Sequence, residues 1–391
     1  MKIACYCQHV LGIGHFHRSL EICRALAEDH DTVMILGGPE VPLPKTAVRF
    51  LKLPGLQMDK EFRHLLPCQA GSELEKIKLE RKRQLFAFFT DFQPDIFLVE
   101  LYPFGRKAFA FELDPILNGI GAGSLPPCLR LCSLRDILVE KKDKQKYEER
   151  VLHILNTSFE GLLIHSDPAF IPLETSFERT DAITVPLHYT GFISPPANNP
   201  RRGIDIRQEL ELRADDKLIV ASIGGGSVGA ELLHATADAA ALVDAKESIS
   251  VHLFTGPYSD PELQDELAKR GNDRITIHDF CANFPDWLQG ADLSISMAGY
   301  NTCMNLLTAG VPALLYPFGQ NREQRLRVSS FLATAPFALL EPVDLAPARL
   351  AKKIEKMLHL PKQKSKANLN GAISTAQLIG APHAWTSKDQ S

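Results

Sequence analysis

The chain has 391 residues, 45% of them hydrophobic and 23% charged, and carries a formal net charge of −4. That length exceeds what one core usually holds and predicts two domains, while the mild acidity argues against a nucleic-acid-binding surface. No apolar run approaches the roughly 20 residues of a membrane span, the amino terminus enters a strand with no signal peptide ahead of it, and the eight scattered cysteines contain no C-x-x-C pair, so the expectation is a cytoplasmic protein with unpaired thiols.

Lys2–Cys7 is predicted as a first parallel strand, Gly12 to Arg18 as a loop feeding an amphipathic helix over 19–28, and 33–38 as the second strand with its turn. Cys5 and Cys7 share a strand face, but two thiols at that spacing make neither a zinc site nor an easy disulfide, and no metal is expected. The βαβ order places the Gly-x-Gly-His loop, with Gly14 and His15, at the carboxyl end of the first strand, where open α/β sheets bind ligands. Without a full G-x-G-x-x-G or an acidic residue closing the second strand, it is a poor nicotinamide-dinucleotide fingerprint. His15 alone reads as a histidine packing on the helix, or as a base if a partner orients it.

Residues 48–60 read as loop and 72–89 as a charged helix. Its basic run, Lys76 to Arg83, is interspersed with Glu73, Glu75 and Glu80, which favours a solvated face over a lipid-headgroup surface. Pro94 to Glu100 is a buried strand with Glu100 at its carboxyl end, either a capping or salt-bridging carboxylate or one that orients His15. The strand 129–137 delivers Arg135 and Asp136 to the same edge; Asp136 is a second candidate orienter, and the two can equally pair with each other. Another strand spans 162–167, after which the Pro/Asn-rich stretch 193–203 marks a domain boundary.

The second half restarts the pattern. A strand at 217–223 closes on Gly224, Gly225, Gly226 and Ser227, and a helix is predicted from 229 to about 243. Three glycines there either make a structural tight turn or let backbone approach an anion, but no Walker loop follows. Strands at 251–257 and 275–280 come next, and then Ala291 to Ser296, a turn at Gly299, helical spacing over 303–309, and the apolar run 311–317. The polar tail Gln320 to Arg325 opens a further helix. Strand, glycine turn and helix is a layout that aims N–H groups at a phosphate, though ordinary αβ units share it.

Gly-x-Gly-His-x-x-Arg, Ser-Leu-Arg-Asp at 133–136, Gly-Gly-Gly at 224–226, Thr-Gly-Pro at 255–257, Ser-Met-x-Gly-Tyr-Asn-Thr at 296–302, Gly-x-Pro at 310–312 and the pair Glu323-Gln324 together resemble GT-B glycosyltransferases of the MurG-like kind, related to glycosyltransferase family 28. The resemblance spans nearly the whole chain, and the amino-terminal loop is also similar to that of related UDP-sugar hydrolases. It implies an α/β fold of two Rossmann-like, doubly wound domains facing across a cleft: 1–192 on the acceptor side, a linker at 193–203, a nucleotide-sugar domain at 204–360, and a tail at 361–391 that returns to the first domain. It places diphosphate contacts at Gly224, Gly225, Gly226, Gly299, Tyr300, Asn301 and Thr302, donor-base contacts around His278 to Phe280, and sugar-hydroxyl contacts at Glu323 and Gln324. His15 would be the catalytic base with Glu100 or Asp136 beside it, and Gly14, Arg18 and Arg135 would lie on the acceptor side.

One position departs from the family: Asn305 stands where a glutamate would accept the ribose hydroxyls, and an amide is the weaker, neutral acceptor. The implied activity is transfer of a hexose from a nucleotide diphosphate donor, UDP-linked, to an acceptor hydroxyl on a saccharide, a lipid-linked sugar or a small molecule. Neither cofactor nor metal is required, and peripheral membrane contact is left open. The rivals are a UDP-sugar hydrolase or epimerase of the same fold, and a non-catalytic sugar-nucleotide-binding subunit.

Overall fold

A computed structural model describes residues 1–10, 14–59, 63–195, 201–243, 248–270, 274–281, 283–319, 322–381 and 385. Gly12 and Ile13 of the first loop, Gln320 and Asn321, and 196–200 of the Pro/Asn-rich stretch lie outside the described residues. Two compact units divide the chain, one of Met1–Ile193 with Asn368–Ser391, the other of Ser194–Ala367.

The first unit is built on β1 (Lys2–Cys7), β2 (Asp31–Leu36), β3 (Arg49–Lys52), the small antiparallel pair β4 (Leu56–Met58) and β5 (Leu65–Pro67), then β6 (Ile96–Glu100), β7 (Leu129–Arg135), β8 (Gly161–His165) and β9 (Leu187–Tyr189). Seven of these form one parallel sheet in the order β3-β2-β1-β6-β7-β8-β9. The helices are α1 (Gly14–Leu26), α2 (Leu74–Phe92), α3 (Ala110–Gly121) and α4 (Lys144–Ser158). Buried apolar strands such as Ile-Phe-Leu-Val in β6 are what a sheet covered on both faces demands. The strand order reverses at β1 and β6, so the carboxyl ends of these two neighbours flank the crevice where such sheets bind ligands.

Three expectations change here. Residues 48–60, read as loop, hold β3 and β4, whose runs of four and three residues are too short for a periodic signal. The first helix opens at Gly14, five residues ahead of the expected Ser19, so His15 sits in its first turn and Arg18 one turn further on the same face. The basic run on α2 is not uniformly solvated, because Arg81 is fully buried at the head of the stripe Arg81, Leu85, Phe89.

All five Arg81 donors are engaged. Nε and Nη2 clasp the Glu112 carboxylate at 2.8 and 2.5 Å, Nη2 also reaches Gln8 Oε1 at 2.8 Å, and Nη1 donates to the carbonyls of Gly37 and Pro54 at 2.8 and 2.7 Å. The Tyr6 hydroxyl donates to the same carboxylate at 2.5 Å. A Cβ on Gly37 would fall 2.1 Å from Arg81 Nη1, which is why glycine follows β2.

The second unit repeats the plan with α5 (Arg201–Glu209), β10 (Lys217–Ser222), α6 (Ala230–Ala240), β11 (Ile249–Phe254), α7 (Pro261–Arg270), β12 (Ile275–His278), α8 (Phe284–Gly290), β13 (Leu293–Met297), α9 (Tyr300–Ala309), β14 (Ala313–Tyr316), α10 (Arg322–Phe331), β15 (Phe337–Leu339) and α11 (Pro347–Leu358). Its parallel sheet runs β12-β11-β10-β13-β14-β15, with the reversal at β10 and β13. Residues 201–203, read as linker, begin α5, and β15 is a strand that its three-residue length concealed. The last helix, α12 (Gly371–Ile379), belongs to the first unit, where Asn370 bridges to Ile193.

Candidate functional site

In the first unit, β1 and β6 are paired with Tyr6 opposite Val99, so Glu100 emerges at the carboxyl edge beside the start of α1. There His15 Nδ1 lies 2.6 Å from Glu100 Oε1. The same oxygen accepts from Arg18 Nη2 at 2.5 Å, and Arg106 Nε lies 3.5 Å from Oε2. Burial pushes the Glu100 carboxyl up, but His15, Arg106 and Arg18 outweigh it and hold the group well below the usual carboxylate range. An ionised carboxylate only accepts, so Nδ1 carries the imidazole proton and Nε2 the lone pair, and Arg18 Nη2 at 3.2 Å from Nδ1 is a neighbour and not its donor.

Burial, reinforced by Arg106 and Arg18 against the pull of Glu100, lowers His15 from 6.5 to about 3. It is therefore a neutral imidazole with an oriented proton on one nitrogen and a basic lone pair on the other. Between about 3 and 6.5 the unfolded chain binds a proton at this histidine and the folded one does not, so stability falls as pH drops through that window and is complete above it. The melting temperature should decline from pH 6.5 to 5, and His15→Gln should flatten that slope by up to about 1.4 kcal/mol per pH unit.

Of the carboxylates expected beside His15, Glu100 is the one paired with it. Asp136 is fully buried and stands 3.4 Å from Arg135, so its carboxylate faces that guanidinium. Arg18, expected on the acceptor side, is buried and paired with Glu100; Gly14 opens α1 and is exposed. Arg106 had no expected role, and its only signal is its place six residues beyond the strand end.

In the second unit, the Gly224–Gly226 turn follows β10 and Gly299 follows β13, the two strands at the reversal. A Cβ on Gly229 would lie 2.9 Å from Met297 Sδ, so the two strand ends approach closely. The three glycines are not equivalent. Gly224 N–H is taken by Ser222 Oγ at 3.1 Å, and Gly226 N–H by the Ile223 carbonyl at 3.3 Å. A Cβ on Gly226, at φ 92°, would meet the Thr255 carbonyl at 2.5 Å, so that glycine is structural. Gly225 has neither constraint, and among the described residues its N–H has no partner.

Gly299 is similar. Its φ of −64° suits any residue, and an added Cβ would meet nothing closer than Thr302 Oγ1 at 3.9 Å. Nothing within the protein demands glycine there. It precedes α9 and, having no side chain, does not cap it. Tyr300, Asn301 and Thr302 form its first turn; the Tyr300 ring is buried, with the buried Arg327 guanidinium 5.4 Å away. One turn on, Asn305 Oδ1 is buried with no hydrogen-bond partner among the described residues. A buried acceptor without a donor costs about 1–3 kcal/mol.

The remaining expected residues divide. The His278 ring is stacked 4.7 Å from Phe254 and its Nε2 lies 2.9 Å from His252 Nδ1, while its carbonyl accepts from Thr255, so its side chain belongs to the wall. Phe280 is 53% exposed, a ring available for stacking. Gln324 Oε1 accepts from Phe318 N–H at 2.9 Å and so secures the turn after β14, and Glu323 lies beside it in the first turn of α10.

Residues 220–379 match the model described as glycosyltransferase family 28 C-terminal domain. That stretch, less than half of the chain, resembles a family 28 domain. The UDP-N-acetylglucosamine–N-acetylmuramyl-(pentapeptide) pyrophosphoryl-undecaprenol N-acetylglucosamine transferase of Chlamydia pneumoniae is 30% identical over 121 residues, covering 30% of this chain and 34% of the relative. Its counterpart from Bacillus cytotoxicus is 28% identical over 161 residues, covering 40% and 44%. The chain thus spans less than half the length of these curated relatives. Solved structures match almost throughout: the glycotransferase of kitacinnamycin, with TM-score 0.59 and 15% identity over 98% of this chain and 99% of that one, and the calicheamicin glycosyltransferase, with TM-score 0.57 and 16% identity over 96% and 93%. Anabaena HepE in complex with UDP matches with TM-score 0.55 and 13% identity over 97% and 95%. The fold is GT-B, and the stretch that matches the family model contains both glycine turns and α9.

Proposed function

We propose that this protein is a glycosyltransferase that moves a sugar from a nucleotide diphosphate donor, UDP-linked, to an acceptor hydroxyl. The observation that carries the reading is the sheet reversal in the stretch that matches the family model, where Gly225 and Gly299, glycines that the fold itself does not require, follow β10 and β13. Relatives named as UDP-N-acetylglucosamine-dependent transferases, and a HepE structure holding UDP, support the choice of nucleotide.

In this reading the acceptor oxygen bonds to the anomeric carbon as the bond from that carbon to the diphosphate oxygen breaks. The electron pair leaves with the diphosphate, whose charge is met by the α9 start and Gly225 N–H. His15 Nε2 takes the acceptor proton, with Glu100 stabilising the imidazolium that forms. No metal is needed for these steps. A panel of UDP-sugars scored for release of UDP tests the proposal: release that depends on an added alcohol supports transfer, release into water alone favours the hydrolase, and UDP binding without release favours a sensor.

The unpartnered Asn305 Oδ1 makes a separate expectation. It offers one neutral carbonyl to a ribose diol, where a carboxylate would receive both hydroxyls with charge assistance. Asn305→Glu should tighten UDP binding by about 1 kcal/mol, or several-fold in Kd. Weaker binding in calorimetry would mean that the ribose lies elsewhere.

A further inference from the structure

The loop that follows β6 carries a buried cation, Arg106, to which the transfer steps assign nothing. Its side chain is 9% exposed, and Nε and Nη2 are buried with no hydrogen-bond partner among the described residues. What Nε faces, at 3.5 Å, is Oε2 of Glu100, itself buried and without a hydrogen bond among the described residues. At that separation the two form an ion pair and not a hydrogen bond. The backbone gives no reason for an arginine here: φ is 57°, in the left-handed region that favours glycine, and a larger residue persists there where its surroundings over-determine it. Those surroundings are firm. Tyr147 Oη and Arg150 Nη2 of α4 donate to the carbonyls of Phe104 and Pro103 at 2.8 and 3.0 Å, and Gly105 N–H donates to the Leu101 carbonyl at 2.7 Å. The other oxygen of Glu100 is held differently. Both groups on Oε1, His15 Nδ1 and Arg18 Nη2, come from α1 and meet a single atom, so they leave the carboxylate able to turn about that contact.

We propose that Arg106 is a positioning residue for the His15 base: standing against Oε2, it stops the Glu100 carboxylate from turning and so keeps Oε1 on Nδ1–H. The consequence lies on the other nitrogen. A ring whose Nδ1–H has a fixed acceptor presents its lone pair at Nε2, whereas a ring released from that acceptor also populates the form protonated at Nε2, which cannot take a proton there. Electrostatics act in the same direction. Burial is the largest influence lowering His15, Glu100 opposes it, and Arg106 adds to it more than Arg18 does. The other titratable groups that feel the Glu100 charge are neutral: burial raises the thiols of Cys7 and Cys132 and lowers the imidazoles of His9 and His165, and Cys5 is raised by its contact with Cys23 and by burial. A proton on His15 would therefore join two guanidiniums that face one carboxylate. The role rests on the transferase reading for what the base does, whereas the orientation is a property of the free protein.

The test is imidazole nitrogen NMR of the full chain with isotope-labelled histidine, without nucleotide or acceptor, the His15 signals being those lost in His15→Gln. Wild type should show His15 at neutral pH as one tautomer, protonated at Nδ1. In Arg106→Met the form protonated at Nε2 should appear, and the His15 titration midpoint should rise by about one pH unit or more, the effect of removing a nearby cation. Arg106→Gly, which suits the φ of 57°, takes the place of methionine if that variant does not fold. Arg106→Lys returns a cation to the position and should keep the wild-type tautomer. An Nε2–H signal already present in wild type, an unchanged tautomer or midpoint once the guanidinium is gone, or a lysine variant that behaves like the methionine one would overturn the proposal. Any of these in a protein that still turns over UDP-sugars counts against the positioning role alone, and the predicted tautomers in a protein that never releases UDP support that role while counting against the transferase reading.

Discussion

His15→Ala should lower turnover by about a hundredfold or more while UDP affinity is retained, the pattern expected when a general base acts in the transition state alone. The magnitude follows from the geometry around Nδ1: a carboxylate at 2.6 Å fixes the tautomer, and Nε2 carries the lone pair. Glu100→Gln should cost at least as much. It replaces the charged acceptor that orients the imidazole with a neutral amide and takes the counter-ion from Arg18 and Arg106, so this variant should melt at lower temperature whereas His15→Ala should not fall nearly as far. Steady-state kinetics with thermal melting separates the two effects. His15→Ala at wild-type turnover would make the histidine structural.

Arg81→Met should destabilise the first unit by about 3–5 kcal/mol, a large share of the roughly 5–15 kcal/mol that holds a domain folded. The arginine shields a fully buried Glu112 and its five N–H groups tie together α2, α3, the strand end at Gln8 and the turns at Gly37 and Pro54. Methionine fills much of the volume but leaves the carboxylate unpaired. Arg81→Met combined with Glu112→Leu should recover part of the loss, because the stranded charge goes with its partner. Urea denaturation midpoints for the three proteins check this, and a single variant as stable as wild type would show that the pair is not holding the unit together.

The two parallel sheets were legible in the sequence because buried strands such as Ile96–Glu100 and Leu293–Met297 are apolar runs closed by polar or glycine residues. That a carboxylate at a strand end faces His15 was legible for a related reason, but the sequence left Glu100 and Asp136 as alternatives, since both stand where strands end. Arg81 was not, because a basic residue in a run of charges looks solvated until the helix is rotated against its neighbours. Nor could the sequence rank Gly224, Gly225 and Gly226. Which glycine N–H is taken depends on Ser222 and Ile223, and which Cβ would collide depends on Thr255, a residue brought from the next strand. Helix α1 began early for want of a capping residue to mark its start, and β15 was hidden by its brevity.

The most direct test of the nucleotide site is isothermal titration calorimetry of UDP, without magnesium, against wild type and Gly299→Val. Because an added Cβ at this position meets no atom of the described residues beyond its chain neighbours closer than 3.9 Å, the variant should fold, yet its β-branched side chain would occupy the space before the α9 start. The account predicts saturable one-to-one binding to wild type that the valine abolishes. Equal affinity in the two proteins, or no binding of UDP to wild type at millimolar concentration, would contradict it.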